Sequence, residues 1–80
     1  MSKIENYSKV FKNALNLEDA KFSENIKYNE VEEWDSIGHM TLISALEDEF
    51  KITFETDDII DFSSFKKGIE ILKKYKVTLV

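Results

Sequence analysis

Cysteine is absent from the 80 residues, which excludes a disulfide framework, a thiolate zinc site and a cysteine nucleophile. Any thiol chemistry would need a thiol brought in from outside. No apolar run reaches the length of a membrane span, and Met1-Ser2-Lys3-Ile4-Glu5 lacks the apolar core of a signal peptide. The expectation is therefore a soluble cytoplasmic protein without stable membrane insertion. Repeats and linkers are missing too, so residues 1–80 read as a single domain. A chain of this size builds a modest core but not a deep catalytic cavity with supporting residues around it, which weighs against an enzyme. No metal site is expected.

Basic charge is scarce where it would matter for nucleic acid. The formal net charge is -5, but residues 28–64 hold eleven acids against the single Lys51, for -10, while residues 1–27 and 65–80 come to +1 and +4. Such a segment repels nucleic acid and anionic membranes and favours docking onto basic protein surfaces, with electrostatic steering of the encounter. A solvated acidic face that keeps a small protein soluble is the plainer explanation of the same charge.

In chain order, Ile4, Tyr7, Val10, Phe11, Ala14 and Leu15 recur at spacings of three and four, one apolar face of a helix. Asn16 suits a left-handed position just past its end. Periodicity fails from Leu17 to Glu33, where Phe22, Ile26, Tyr28 and Val31 are spaced to peg a long ordered loop onto a core. Asp35 then caps a second helix and leaves Ser36 on its first turn, beside the positive end of the helix dipole. At about 100° per residue, Met40, Leu42, Ile43, Leu46 and Phe50 share the buried face, with His39 inside the same arc. Ile37 falls off that arc and is expected to be exposed. Lys51-Ile52-Thr53-Phe54 reads as an extended connection pinned to the core. Thr56 is expected to cap a short helix through Asp61, and Ser63 or Ser64 a last one, with Phe65, Ile69, Leu72 and Tyr75 inward and Lys66, Lys67, Lys73, Lys74 and Lys76 outward. The tail from Val77 to Val80 is expected to be frayed or lightly packed. The predicted class is all-α, a small bundle of three longer helices and one short one.

Asp35-Ser36-Ile37 at the head of the second helix, followed by Leu46-Glu47-Asp48-Glu49-Phe50 and Ile52, resembles the Asp-Ser-Leu-like signature and acidic helix of the acyl carrier protein family and its peptidyl-carrier relatives. The likeness covers nearly the whole chain. It implies an acyl-carrier-like four-helix bundle with 4'-phosphopantetheine esterified to Ser36, presenting acyl or aminoacyl groups as thioesters. Asp35 would help present Ser36 to a phosphopantetheinyl transferase, Ile37 would be an apolar docking contact, and Glu47 and Asp48 would meet basic residues of acyl-loading and acyl-accepting enzymes. Met40, Ile43, Leu46, Ile59 and Ile60 would line a space for the acyl chain, in a protein that acts as a monomer and is not itself an enzyme. Trp34 before Asp35, Gly38-His39 after Ile37 and Thr41 on the exposed face depart from housekeeping fatty-acid carriers. They suggest a specialised pathway, such as decoration of a polysaccharide, a polyketide or a peptide-like product; a D-alanyl carrier is a further option.

Two other functions compete. A hydrolase built on Asp35, Ser36 and His39 needs an oriented Ser-His bond and an oxyanion hole, and no nest of glycines supplies the donors. An acidic helical adaptor would use Ser36 only as a helix cap.

Overall fold

The structure, a computed structural model, describes residues 3–77. It is mostly helical, with no strand among the described residues: α1 (Lys3–Leu15), α2 (Ser36–Phe50), α3 (Thr56–Asp61) and α4 (Phe65–Lys74). The apolar stripe of α1 buries Tyr7, Phe11 and Leu15, and the helix ends at Asn16, whose φ of 53° is the left-handed conformation expected of it. Leu17 N–H closes the turn on Lys12 O at 2.8 Å.

Aromatic rings fill the centre. Trp34 and Phe11 meet edge to face at 5.0 Å, Phe65 of α4 stacks on Tyr7 at 4.6 Å, and Phe22 from the loop sits edge-on to Phe65 at 5.2 Å. Such pairs add to the area term, which favours burying each large side chain by about 1.5–3 kcal/mol. Both glycines serve this close packing. A Cβ on Gly68 would lie 2.2 Å from the Tyr7 hydroxyl, and one on Gly38 would lie 2.1 Å from the Glu33 carbonyl. Tyr7 donates from that hydroxyl to Phe65 O at 2.7 Å, and burial pushes its phenol far above the ordinary range, so it remains a donor.

The long loop from Leu17 to Asp35 is ordered by its backbone as much as by its anchors. Ile26 is buried, Phe22 and Val31 partly so, and Tyr28 is more exposed than a core peg. Tyr28 N–H donates to Ser63 O at 2.8 Å, and Phe65 N–H, which lies beyond α4's own bonding, donates to Ile26 O at 3.0 Å. This pair of bonds straps the loop onto the α3–α4 junction.

Several expectations need correction. Thr56 lies inside α3 and Glu55 occupies the cap position without a side-chain bond; the cap of α4 is as expected one of the two serines, Ser64, which accepts from Lys67 N–H at 2.9 Å. Ile69 and Tyr75 are only partly buried, and the inward residue missed by the spacing is Ile71. Met40 is 53 % exposed despite its place on the apolar arc, because the arc's edge meets a cleft rather than a neighbouring helix. Val77 is buried rather than frayed; residues 78–80 lie outside the described range. Lys51 ends α2 with a φ of 55°, which the extended reading of 51–54 did not foresee.

Candidate functional site

The head of α2 is set by Asp35, whose backbone is extended and whose Oδ1 accepts the Gly38 N–H at 2.8 Å. Its carbonyl accepts the His39 N–H at 2.7 Å. The Ser36 and Ile37 N–H groups therefore remain outside the helix's own bonding, at the positive end of the dipole. Ser36 is exposed, and its Oγ lies 3.3 Å from the Tyr28 hydroxyl. Asp35, as expected, and not Ser36 supplies the cap of α2, and the Ser36 hydroxyl lies beside Tyr28 of the loop.

Beneath Ser36 a polar chain crosses the protein. Trp34 is fully buried, and its indole N–H donates to His39 Nδ1 at 3.0 Å. An indole nitrogen only donates, so Nδ1 must be the bare nitrogen and Nε2 carries the proton. Nε2–H then donates to Ile59 O at 2.8 Å. Ile59 belongs to the last turn of α3, where carbonyls have no intrahelical partner, so His39 completes the C-terminal end of that helix. With both ring nitrogens engaged elsewhere, His39 makes no bond to Ser36, and the Ser-His pair that a hydrolase requires is not formed. Tyr28 lies edge-on to both rings, 5.9 Å from Trp34 and 5.3 Å from His39.

Ser36 opens onto a cleft of about 380 Å³ between α2, α3 and the loop, lined by Tyr28, His39, Met40, Ile59, Ile60, Phe62 and Ser63. Of the five residues expected to line an acyl space, Met40, Ile59 and Ile60 are brought together there. Ile43 and Leu46 lie in the core instead, each almost fully buried. Ile37 stands 79 % exposed on the other side of Ser36, beside a shallow groove running along Met40, Thr41 and Ser44. Large exposed hydrophobics among the described residues are Tyr28, Ile37, Met40 and Ile60, and all four border Ser36 or its cleft.

The acids divide by what they touch. Glu47 is partly committed to the fold, accepting the Phe54 N–H at 2.9 Å, whereas Asp48 is exposed. Asp58 is buried and takes Lys74 Nζ at 2.6 Å and the Tyr75 hydroxyl; the Lys74 hydrogen bond, ahead of the Tyr75 bond, holds its carboxyl below the ordinary range. Lys21 does the same for Glu33, just ahead of the site. Among the described residues no group of three or more His, Cys, Asp or Glu side chains could hold a metal ion, and no helix is long and apolar enough to cross a membrane. Tyr28 and Phe62 were not singled out as site residues by the sequence. Tyr28 carries no periodic signal, and its approach to Ser36 depends on the strap to Ser63.

No protein-family model matches the chain, and a search of curated proteins finds no match. The functional reading therefore stands on the residues and their geometry.

Proposed function

We propose that this chain is an acyl carrier of the phosphopantetheine type, with Ser36 as the attachment point. The observation that supports it most is the setting of the Ser36 hydroxyl: exposed, on the first turn of an Asp35-capped helix, and at the mouth of an apolar cleft. Those residues fit the group. Ser36 and Ile37 N–H groups and the dipole favour an anionic phosphodiester, and no buried charge has to be displaced. When bound, the arm supplies the thiol that a chain without cysteine lacks, and with it thioester chemistry.

The chain's own residues hold and present. Asp35 fixes the turn on which Ser36 sits, and the Tyr28 hydroxyl orients the Ser36 oxygen. Ile37 offers an apolar contact next to the attachment point, and Asp48 an exposed charge in the last turn of α2; Glu47 contributes charge while also holding Phe54. Met40, Ile59 and Ile60 give the cargo an apolar surface, while Ile43 and Leu46 support α2 from behind. Partners in this scheme are a transferase and loading or accepting enzymes with basic faces, meeting a monomeric cytoplasmic carrier dedicated to a specialised pathway.

Incubation of the purified protein with coenzyme A and a broad-specificity phosphopantetheinyl transferase tests this. The expected outcome is one added phosphopantetheine on the intact protein and none on Ser36→Ala. A folded wild-type protein whose mass stays unchanged would contradict the proposal.

A further inference from the structure

We infer that the Tyr28 hydroxyl, once Ser36 is esterified, donates to the phosphodiester and anchors the base of the arm against the loop. The inference rests on the carrier reading of Ser36 and adds to it the side-chain donor that holds the attached group.

In the unmodified chain Tyr28 Oη and Ser36 Oγ lie 3.3 Å apart, and either can be the donor. O–H···O bonds usually span about 2.5–3.0 Å, so this contact is slack. Ser36 is the sole hydrogen-bond partner of the Tyr28 hydroxyl among the described residues. On attachment Ser36 Oγ bonds to phosphorus and gives up its proton, while the pyrophosphate bond of coenzyme A breaks and releases adenosine 3',5'-bisphosphate. Ser36 then has no proton to donate, and a hydrogen bond between the two residues has to run from Tyr28. Its acceptor is now anionic, and such a bond is about twice as strong as one between neutral groups.

The surroundings supply few alternatives. The chain has no arginine, and no lysine lines either depression flanking Ser36. His39 is engaged at both nitrogens, Thr41 donates its hydroxyl to Ile37 O, and Asp35 is itself an acid. Of the side chains around Ser36, Tyr28 alone lies within hydrogen-bond distance of Oγ among the described residues. The added negative charge thus meets the Ser36 and Ile37 N–H groups at the end of the helix dipole and one phenol. That phenol is already placed, with its ring edge-on to Trp34 and His39 and its backbone N–H donating to Ser63 O at 2.8 Å. Both ends of Tyr28 are then tied, and the loop opens there only when the hydroxyl leaves the phosphodiester. Tyr28 holds the attached group at its base, away from the thiol where cargo is exchanged.

The test compares amide exchange before and after attachment, in the wild type and in Tyr28→Phe, on intact protein loaded from coenzyme A by the transferase. Tyr28→Phe keeps the ring and removes only the hydroxyl. Attachment is expected to slow exchange of the residue 28 amide about fivefold in the wild type and less than about twofold in the variant. A ring with a packing role only would give no such difference. Equal slowing in both proteins, or none in the wild type, overturns the inference. Should Tyr28→Phe resist loading, the wild type decides by itself. Nuclear Overhauser contacts are expected there between the Tyr28 ring and the methylene of the arm next to the phosphate, and contacts of that methylene with Ile37 and Thr41 alone would overturn the anchor. Failure of folded wild type to accept phosphopantetheine strikes the carrier reading itself, whereas attachment without either signature strikes this inference alone.

Discussion

The two sides of α2 are held in different ways. Toward α1 and α4 the contact is apolar and aromatic, with Tyr7, Phe11, Trp34, Leu42, Leu46 and Leu72 all fully buried. Toward α3 and the segments flanking it, individual polar ties, His39 to Ile59 and Glu47 to Phe54, join the apolar contact of Phe54, Ile59 and Phe62 with the core, and Asp58 is fixed to Lys74 and Tyr75. Close packing resists deformation everywhere at once, while a set of separate hydrogen bonds can be released one at a time. Ser36 and its cleft lie on the second side, next to α3. The chain thus packs aromatic and aliphatic side chains behind α2 and adds hydrogen-bonded ties to α3 in front of it.

The most severe way to break this contrast is at the packed side. Trp34→Ala removes a fully buried indole and the donor that orients His39, and is expected to cost about 3–5 kcal/mol, read as a fall in the urea midpoint. A cost below about 1 kcal/mol would mean that the aromatic interior is not what holds the protein. Asp58→Ala, on the tied side, removes two hydrogen bonds and is expected to cost about 2 kcal/mol while speeding amide exchange of Phe62 far more than that of α1 or α2 amides. Uniform acceleration across all four helices would erase the distinction between the sides.

Acid tests the same tie without mutation. The Asp58 carboxyl is held below its ordinary value of 3.8 in the folded chain, chiefly by the Lys74 hydrogen bond. The unfolded state therefore binds the proton more readily, so the contribution is complete above that value and is lost as pH falls below it. Loss of stability on acidification is expected to be smaller in Asp58→Asn than in the wild type. Equal acid sensitivity would contradict the assignment.

A smaller effect separates the neighbours Glu47 and Asp48. Glu47→Lys loses the Phe54 bond and is expected to cost about 1 kcal/mol, whereas Asp48→Lys stays within about 0.5 kcal/mol of the wild type. Both reversals are expected to slow loading more at low salt than at high salt. Equal slowing at both salt concentrations would count against steering by the acidic face. The mildest change is Tyr28→Phe, which keeps the ring against Trp34 and His39 but drops the hydroxyl beside Ser36. Stability is expected to shift by less than about 0.5 kcal/mol, with loading of Ser36 slowed.

Local signals in the sequence correspond to local features of the structure. Asp35 caps α2, Asn16 adopts the left-handed turn after α1, Ser64 caps α4, and the spacing of Tyr7, Phe11 and Leu15 marks a buried face. Each of these depends on residues within one or two turns. The site depends on residues far apart in the chain: Tyr28 reaches Ser36 because the loop is strapped to Ser63, and His39 meets Ile59 across a gap of twenty residues. No periodicity encodes those approaches. Met40 shows the limit from the other direction, since an angular position on a helix says which way a side chain points but not whether a neighbour covers it. Trp34, Gly38 and His39 each have a packing role: interior ring, close passage under Glu33, and tie to α3.

Peptide mapping by tandem mass spectrometry, on the protein after reaction with coenzyme A and transferase, tests the central claim most directly. A single phosphopantetheine on the peptide containing Asp35-Ser36-Ile37, located to Ser36, is the predicted result. Recovery of that peptide wholly unmodified from folded protein, or modification at Ser44, Ser63 or Ser64 instead, would contradict it.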